Sequence, residues 1–166
     1  SAGRDADADL AGELGGGAGH QAGHFLVPRL HEVDLPLLAV QRAHELGCTT
    51  MQIFSRNPRG WTVKPLAKDD IAEFRRLREK YDIGPVFVHT NYLINLASTK
   101  PDLYERSIEQ FVIDLERTEH LGAEYLVTHL GSASGQEPEW MIDRVADALN
   151  MAMKLHKPQA MILLEN

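Results

Sequence analysis

A regular alternation of strands and helices predicts an α/β fold with a parallel sheet. Three observations carry this. Apolar strand-like runs begin near Thr50, Pro85, Glu124 and Ala160, so the repeat is 35 to 39 residues long. An amphipathic helical pattern separates each pair of runs, and alternating strand and helix implies parallel strands joined by crossovers. The runs are short and apolar throughout, without strict alternation, as expected of strands in a sheet covered by helices. A doubly wound sheet and a TIM-type barrel both fit. No glycine-rich phosphate loop follows any strand, which weakens the nucleotide-binding version of the former.

The first segment, about Ser1 to Gly23, holds seven of the thirteen glycines together with Asp5, Asp7, Asp9 and Glu13. It offers too little apolar surface to offset its ordering entropy and is expected to be flexible. Phe25-Leu26-Val27 is read as a short strand stopped by Pro28. From Asp34 the pattern is regular, which divides the chain into a divergent segment, 1–33, and a barrel segment, 34–166. Asp34 is placed to cap a helix with Pro36 in its first turn. Leu35, Ala39, Ala43 and Leu46 then recur at helical spacing, and Gly47 ends the helix. Thr50–Phe54 reads as a strand, followed by the polar loop Ser55–Trp61. Asp69 or Asp70 caps the next helix, with Ile71, Phe74, Leu77 and Tyr81 inward. Pro85–Val88 is the next strand. A long helix from about Asp102 to Leu121 turns Ile108, Phe111, Val112 and Leu115 inward and stops at Gly122. Glu124–Thr128 is a strand, and a helix over Pro138–Leu155 buries Met141, Val145, Leu149 and Ala152. The strand Ala160–Leu164 leads into Glu165-Asn166.

Composition narrows the function classes. A hydrophobic content of 43% suits a soluble globular protein, and no run approaches the ~20 apolar residues of a membrane span. The net charge of -7 argues against a generally basic nucleic-acid binder but leaves room for a local basic patch or bound cations. Cys48 is the sole cysteine, which excludes an internal disulfide and points to a reducing, intracellular (cytoplasmic) setting. No secretory signal pattern is visible.

The candidate ligands fall at equivalent places in the repeat. His89, His129 and Glu165 each follow an apolar strand in three successive units. In a parallel barrel such positions converge on the rim where active sites form. Two imidazoles and a carboxylate are a donor set that zinc or manganese accepts. His44, His120 and His156 lie within or just past helices and are expected to face solvent. Between Ser55 and Lys68 stand Arg56, Arg59, Lys64 and Lys68, with Trp61 among them and no acidic residue. Cations neutralise backbone phosphates, and exposed Tyr92 and Leu93 on the next rim loop could wedge into a base stack. Together they suggest a rim that grips a duplex and turns a nucleotide out toward bound metal. A solvated basic loop with Trp61 packed beneath it is the other reading of the same residues.

Residues Leu46–Phe54, Asn57-Pro58-Arg59-Gly60-Trp61, His89-Thr90-Asn91-Tyr92-Leu93-Ile94-Asn95-Leu96, His129-Leu130-Gly131-Ser132 and Leu164-Glu165-Asn166 resemble the type IV apurinic/apyrimidinic endonucleases (deoxyribonuclease IV). The resemblance covers about Leu35 to Asn166 and is strongest in the His-x-x-Tyr-Leu-Ile-Asn run. It implies a TIM barrel of the xylose-isomerase-like kind, of which about the first five β/α units are expected here. The family's first-strand motif, Gly-x-His-x-Ser, is absent. The resemblance further implies a three-zinc cluster and hydrolysis of the DNA phosphodiester 5′ to abasic sites in double-stranded DNA, in base excision repair. By that resemblance His89 and His129 ligate one zinc, and Glu165 bridges it to a second and is the catalytic carboxylate. Arg59, Tyr92 and Leu93 correspond to the residues that enter the DNA stack. The family's further ligands belong to strands six to eight, so the chain by itself is expected to be nearly inactive. Two other functions remain open: a metal-dependent sugar isomerase or epimerase of the same superfamily, and a DNA-binding fragment that self-associates through open sheet edges.

Overall fold

The computed structural model describes residues 35–166. They alternate as α1 (Leu35–Glu45), β1 (Met51–Phe54), α2 (Lys68–Lys80), β2 (Val86–His89), α3 (Pro101–His120), β3 (Tyr125–His129), α4 (Pro138–Leu155) and β4 (Met161–Glu165). The expected strand at Phe25-Leu26-Val27 and the Asp34 cap lie outside the described residues.

All strand pairs are parallel, and the sheet order β1-β2-β3-β4 follows the chain. A doubly wound sheet reverses its order at a switch point, so the unbroken order selects a singly wound, barrel-type sheet. Register then assigns faces, because paired residues share a side and neighbours alternate. Met51 pairs with Val86, Ile53 with Val88 and Val88 with Leu126. These five residues are buried against Val40, Phe74, Leu77, Phe111 and Leu115 of the helices. The opposite face carries Phe54, Phe87, His89, Tyr125, Val127, His129, Leu163 and Glu165.

Three helices end in the same way. Beyond α1, Cys48 N–H donates to Ala43 C=O and Gly47 N–H to His44 C=O. The corresponding pairs are Ala123 with Thr118 and Gly122 with Glu119 after α3, and Ile83 with Arg78 and Asp82 with Glu79 after α2. This Schellman pattern needs a left-handed residue at the turn. Gly47 at φ 70° and Gly122 at φ 67° supply it, and Asp82 does so without a glycine at φ 51°.

Several expectations need correction. Leu46 is exposed, because α1 ends one residue before it and the chain has already turned. Neither Asp69 nor Asp70 caps α2: Ala67 stands at the cap without a side-chain bond, and both aspartates lie in the first turn. There their charges favour the helix N-terminus without capping it. Ile71, Tyr81, Val112, Met141 and Leu149 are half-buried rather than fully inward. Strand β4 is the least covered, with Met161 60% and Leu164 54% exposed.

Candidate metal centre and its rim loops

His89, His129 and Glu165 are the last residues of β2, β3 and β4. Their convergence follows from register. His129 pairs with Glu165, and His89 pairs with Val127, which shares a strand face with His129 two residues on. All three side chains therefore leave the same face at the carboxyl ends of the strands. One donor atom from each lies within 4.8 Å of the others. His89 Nε2 is 3.2 Å and His129 Nδ1 3.8 Å from Glu165 Oε2. Ligands held at zinc–donor bonds of about 2.0–2.2 Å in a tetrahedron stand roughly 3.4 Å apart, so the set fits one ion.

The neighbours of His89 fix its presentation. Nδ1 lies 2.8 Å from the Thr90 carbonyl, so the tautomer that donates there leaves the Nε2 lone pair free toward Glu165. Its ring is 5.2 Å from Phe54, 5.9 Å from Tyr92 and 5.0 Å from His129. His89 is buried, whereas the His129 and Glu165 side chains are about half exposed. The site is thus walled on the β1 side and open on the β4 side. Among the described residues it is the group able to hold a metal ion.

The rim loops present the other expected residues. Arg59 is exposed on the β1–α2 loop, where Asn57 Oδ1 accepts from its backbone N–H at 2.9 Å. Tyr92 is exposed and meets Phe54 edge-on at 5.0 Å, which places its ring beside His89. Leu93 is half-buried, contrary to the expectation of an exposed pair, because its N–H turns inward to Asn91 Oδ1 at 2.7 Å. Trp61 is half-buried against the core, as in the blander reading of its loop, and the Arg106 guanidinium lies 4.4 Å over its ring.

Arg56 does not belong to the free basic patch. Its guanidinium forms a two-pronged pair with Asp114 of α3, at 2.6 and 3.1 Å, with the side chains only 4% and 1% exposed. Removing one member of such a pair strands a buried charge and typically costs about 3–5 kcal/mol. Asp114 also accepts from the Asn91 backbone N–H at 3.0 Å. Beside it, buried Arg117 donates to the Ser55 carbonyl, to Ser55 Oγ and to the Lys64 carbonyl. Burial pulls the Arg117 pKa down, against the opposing pull of Asp114. Sequence reading missed this network. Its trace was legible, because Asp114 sits in register with Ser107, Phe111 and Thr118 on the buried stripe of α3. The expectation that His156 faces solvent also fails: it is half-buried, 2.8 Å from Glu119.

Asn95 joins the two loops on the other side of the site. Its Oδ1 accepts from Ala97 and Ser132 N–H groups, and its Nδ2 donates to the Ser132 carbonyl. The loop after His129 is thereby pinned to the loop after His89.

The description "Xylose isomerase-like TIM barrel" matches residues 40–166. The chain belongs to that family. Within it, the chain is similar to a Methanosphaerula palustris protein named "Probable endonuclease 4", with 45% identity over 131 residues, covering 77% of this chain and 46% of the relative. It is also similar to the crystal structure of endonuclease IV from Thermus thermophilus. The TM-score is 0.70 with 35% identity, over 79% of this chain and 46% of that one. The D-psicose 3-epimerase of Clostridium cellulolyticum shares the fold at TM-score 0.55 and 15% identity, over 75% of this chain and 43% of that one. This family member spans about half the length of the curated relatives it matches. No helix among its described residues is long and apolar enough to cross a membrane.

Proposed function

We propose that residues 34–166 supply the metal-binding and DNA-contacting rim of a zinc-dependent endonuclease that cleaves the phosphodiester 5′ to abasic sites in double-stranded DNA. The observation that carries this reading is the meeting of His89, His129 and Glu165 within one ion's reach, beside the exposed Tyr92 and Arg59. Manganese is the alternative ion for the same donors. When bound, the cation would supply positive charge for the phosphate and acidify an attacking water. The chain's own residues do the rest. Thr90 C=O orients His89, and Phe54 and Tyr92 exclude water from its buried side. Glu165, reaching toward both imidazoles, is the carboxylate assigned to catalysis. Arg59 would pair with a phosphate, and Tyr92 with Leu93 would fill the gap left by the missing base.

The sugar-epimerase reading is disfavoured by this geometry. A small polyol needs a closed pocket, whereas Tyr92 is 54% exposed on an open rim. Self-association is a second reading, supported by the exposed Met161 and Leu164 of the outer strand β4. Sedimentation equilibrium at micromolar protein decides it, and a strict monomer rejects it.

The test of function is fluorescence-anisotropy binding to a duplex carrying an abasic analogue and to its intact counterpart. The expected result is a preference for the abasic duplex of about tenfold or more, lost in the Arg59→Ala/Tyr92→Ala double variant while metal content is retained. Equal affinity for both duplexes, or binding to neither, overturns the reading.

A further inference from the structure

The two loops assigned to DNA are not independent. Arg56 donates to the Gly60 carbonyl at 3.3 Å, and Arg117 holds the Ser55 and Lys64 carbonyls, so the β1–α2 loop is tied down at its beginning, middle and end. The β2–α3 loop is stitched to it. Asn91 Nδ2 donates to the Asn57 and Gly60 carbonyls at 3.1 and 2.6 Å, and Tyr92 N–H donates to the Pro58 carbonyl at 3.0 Å. Asp114 is where these ties meet. Its carboxylate takes two bonds from Arg56 on the first loop and one from the Asn91 backbone on the second. Its own carbonyl accepts from Thr118 Oγ1 at 2.7 Å, within α3.

We infer that Asp114, acting through Arg56 and Asn91, is a positioning residue that locks the loop bearing Arg59 to the loop bearing Tyr92 and Leu93, so that the two meet a damaged duplex as one rigid surface. The inference rests on the DNA-contact reading proposed above. Asp114 is 1% exposed and its carboxylate bonds go to Arg56 and the Asn91 backbone, so its influence passes through loop geometry. The charge balance supports the assignment. Two guanidinium groups and one carboxylate leave a net positive charge beneath a loop that is to approach phosphates. Rigid presentation avoids ordering the loops at the moment of binding.

The experiment is a double-mutant cycle read as the ratio of affinities for abasic and intact duplexes. Asp114→Asn keeps the shape and one acceptor but removes the charge. It should lower the ratio roughly tenfold in the otherwise native chain, and should have little further effect in the Arg59→Ala/Tyr92→Ala background. Arg56→Lys keeps the cation but loses the two-pronged geometry, and should lower the ratio by a smaller factor. Cobalt(II) binding and a cooperative thermal transition serve as controls for folding. A folded Asp114→Asn protein with an unchanged ratio overturns the inference, as does an equal fall in both backgrounds. If Asp114→Asn does not fold, Arg56→Lys decides: an undiminished ratio overturns the inference and a reduced one supports it. A native chain with no preference at all instead overturns the underlying DNA reading.

Discussion

Gly131 is the position where one added methyl group should do the most measurable damage near the site. It has φ 95°, and a Cβ built there falls 2.1 Å from Asn95 Oδ1 and 3.2 Å from the Asn95 Cα. The side chain cannot simply step aside, because Oδ1 accepts from Ala97 N–H at 3.1 Å and Ser132 N–H at 3.0 Å. Gly131→Ala therefore imposes two penalties. Holding a non-glycine residue in that backbone region costs about 1–3 kcal/mol. Displacing Asn95 Oδ1 forfeits the two hydrogen bonds it accepts, at about 1 kcal/mol each. The sum is about 3–5 kcal/mol, which at a urea slope near 2 kcal/mol/M moves the unfolding midpoint down by roughly 2 M. The assay is urea unfolding followed by circular dichroism. Asn95→Ala provides the internal control: in that background the Oδ1 clash is gone and only the 3.2 Å approach to the Cα remains, so the penalty of Gly131→Ala should shrink to the backbone part. A Gly131→Ala protein within about 0.5 kcal/mol of the native chain would refute the strain-and-clash account.

Two further outcomes follow from other parts of the molecule. Burial tends to raise the Glu119 pKa, but N–H groups of Gln159 and Ala160 together with His156 outweigh it, so the carboxyl lies below its ordinary value of 4.5. A depressed carboxyl pKa stabilises the fold above the unfolded value, and that stability is lost as pH falls through the folded one. Glu119→Gln should thus cost about 1–2 kcal/mol at pH 7 and flatten the loss of stability below about pH 4.5, as read by thermal melts across pH. An unaltered acid limb contradicts this. Arg106, stacked on Trp61, makes no hydrogen bond or ion pair with a described residue. On the DNA reading, Arg106→Gln should weaken binding to abasic and intact duplexes alike and reduce the slope of log K against log salt by about one. An unchanged slope removes Arg106 from the DNA footprint.

The fold was legible in sequence because its signals were local and repeated. Each strand was a short apolar run, and Gly47 and Gly122 marked helix ends that the backbone uses as expected. The choice between doubly wound sheet and barrel was not local. It depends on strand order, which the repeat spacing does not encode and which the β1-β2-β3-β4 pairing supplies. The meeting of His89, His129 and Glu165 was foreseeable because equivalent points of parallel repeats share a rim. That Nε2 of His89 and Nδ1 of His129 face the carboxylate required the register. Arg56 was misread for a physical reason. Its nearest acids along the chain are far away, and its partner Asp114 lies 58 positions later on another element. His156 was misread likewise, since Glu119 comes from α3 and meets it only when α3 and α4 pack together.

Cobalt(II) titration monitored by its visible d–d bands tests the shared-ion claim most directly, because band position and intensity report the ligand set. The native chain should bind one equivalent in a nitrogen- and oxygen-ligated, low-symmetry site. His129→Ala and Glu165→Gln should each weaken that binding by about tenfold or more. Absence of binding by the native chain, or an identical spectrum and affinity in both variants, would contradict the claim that these three strand ends hold one cation.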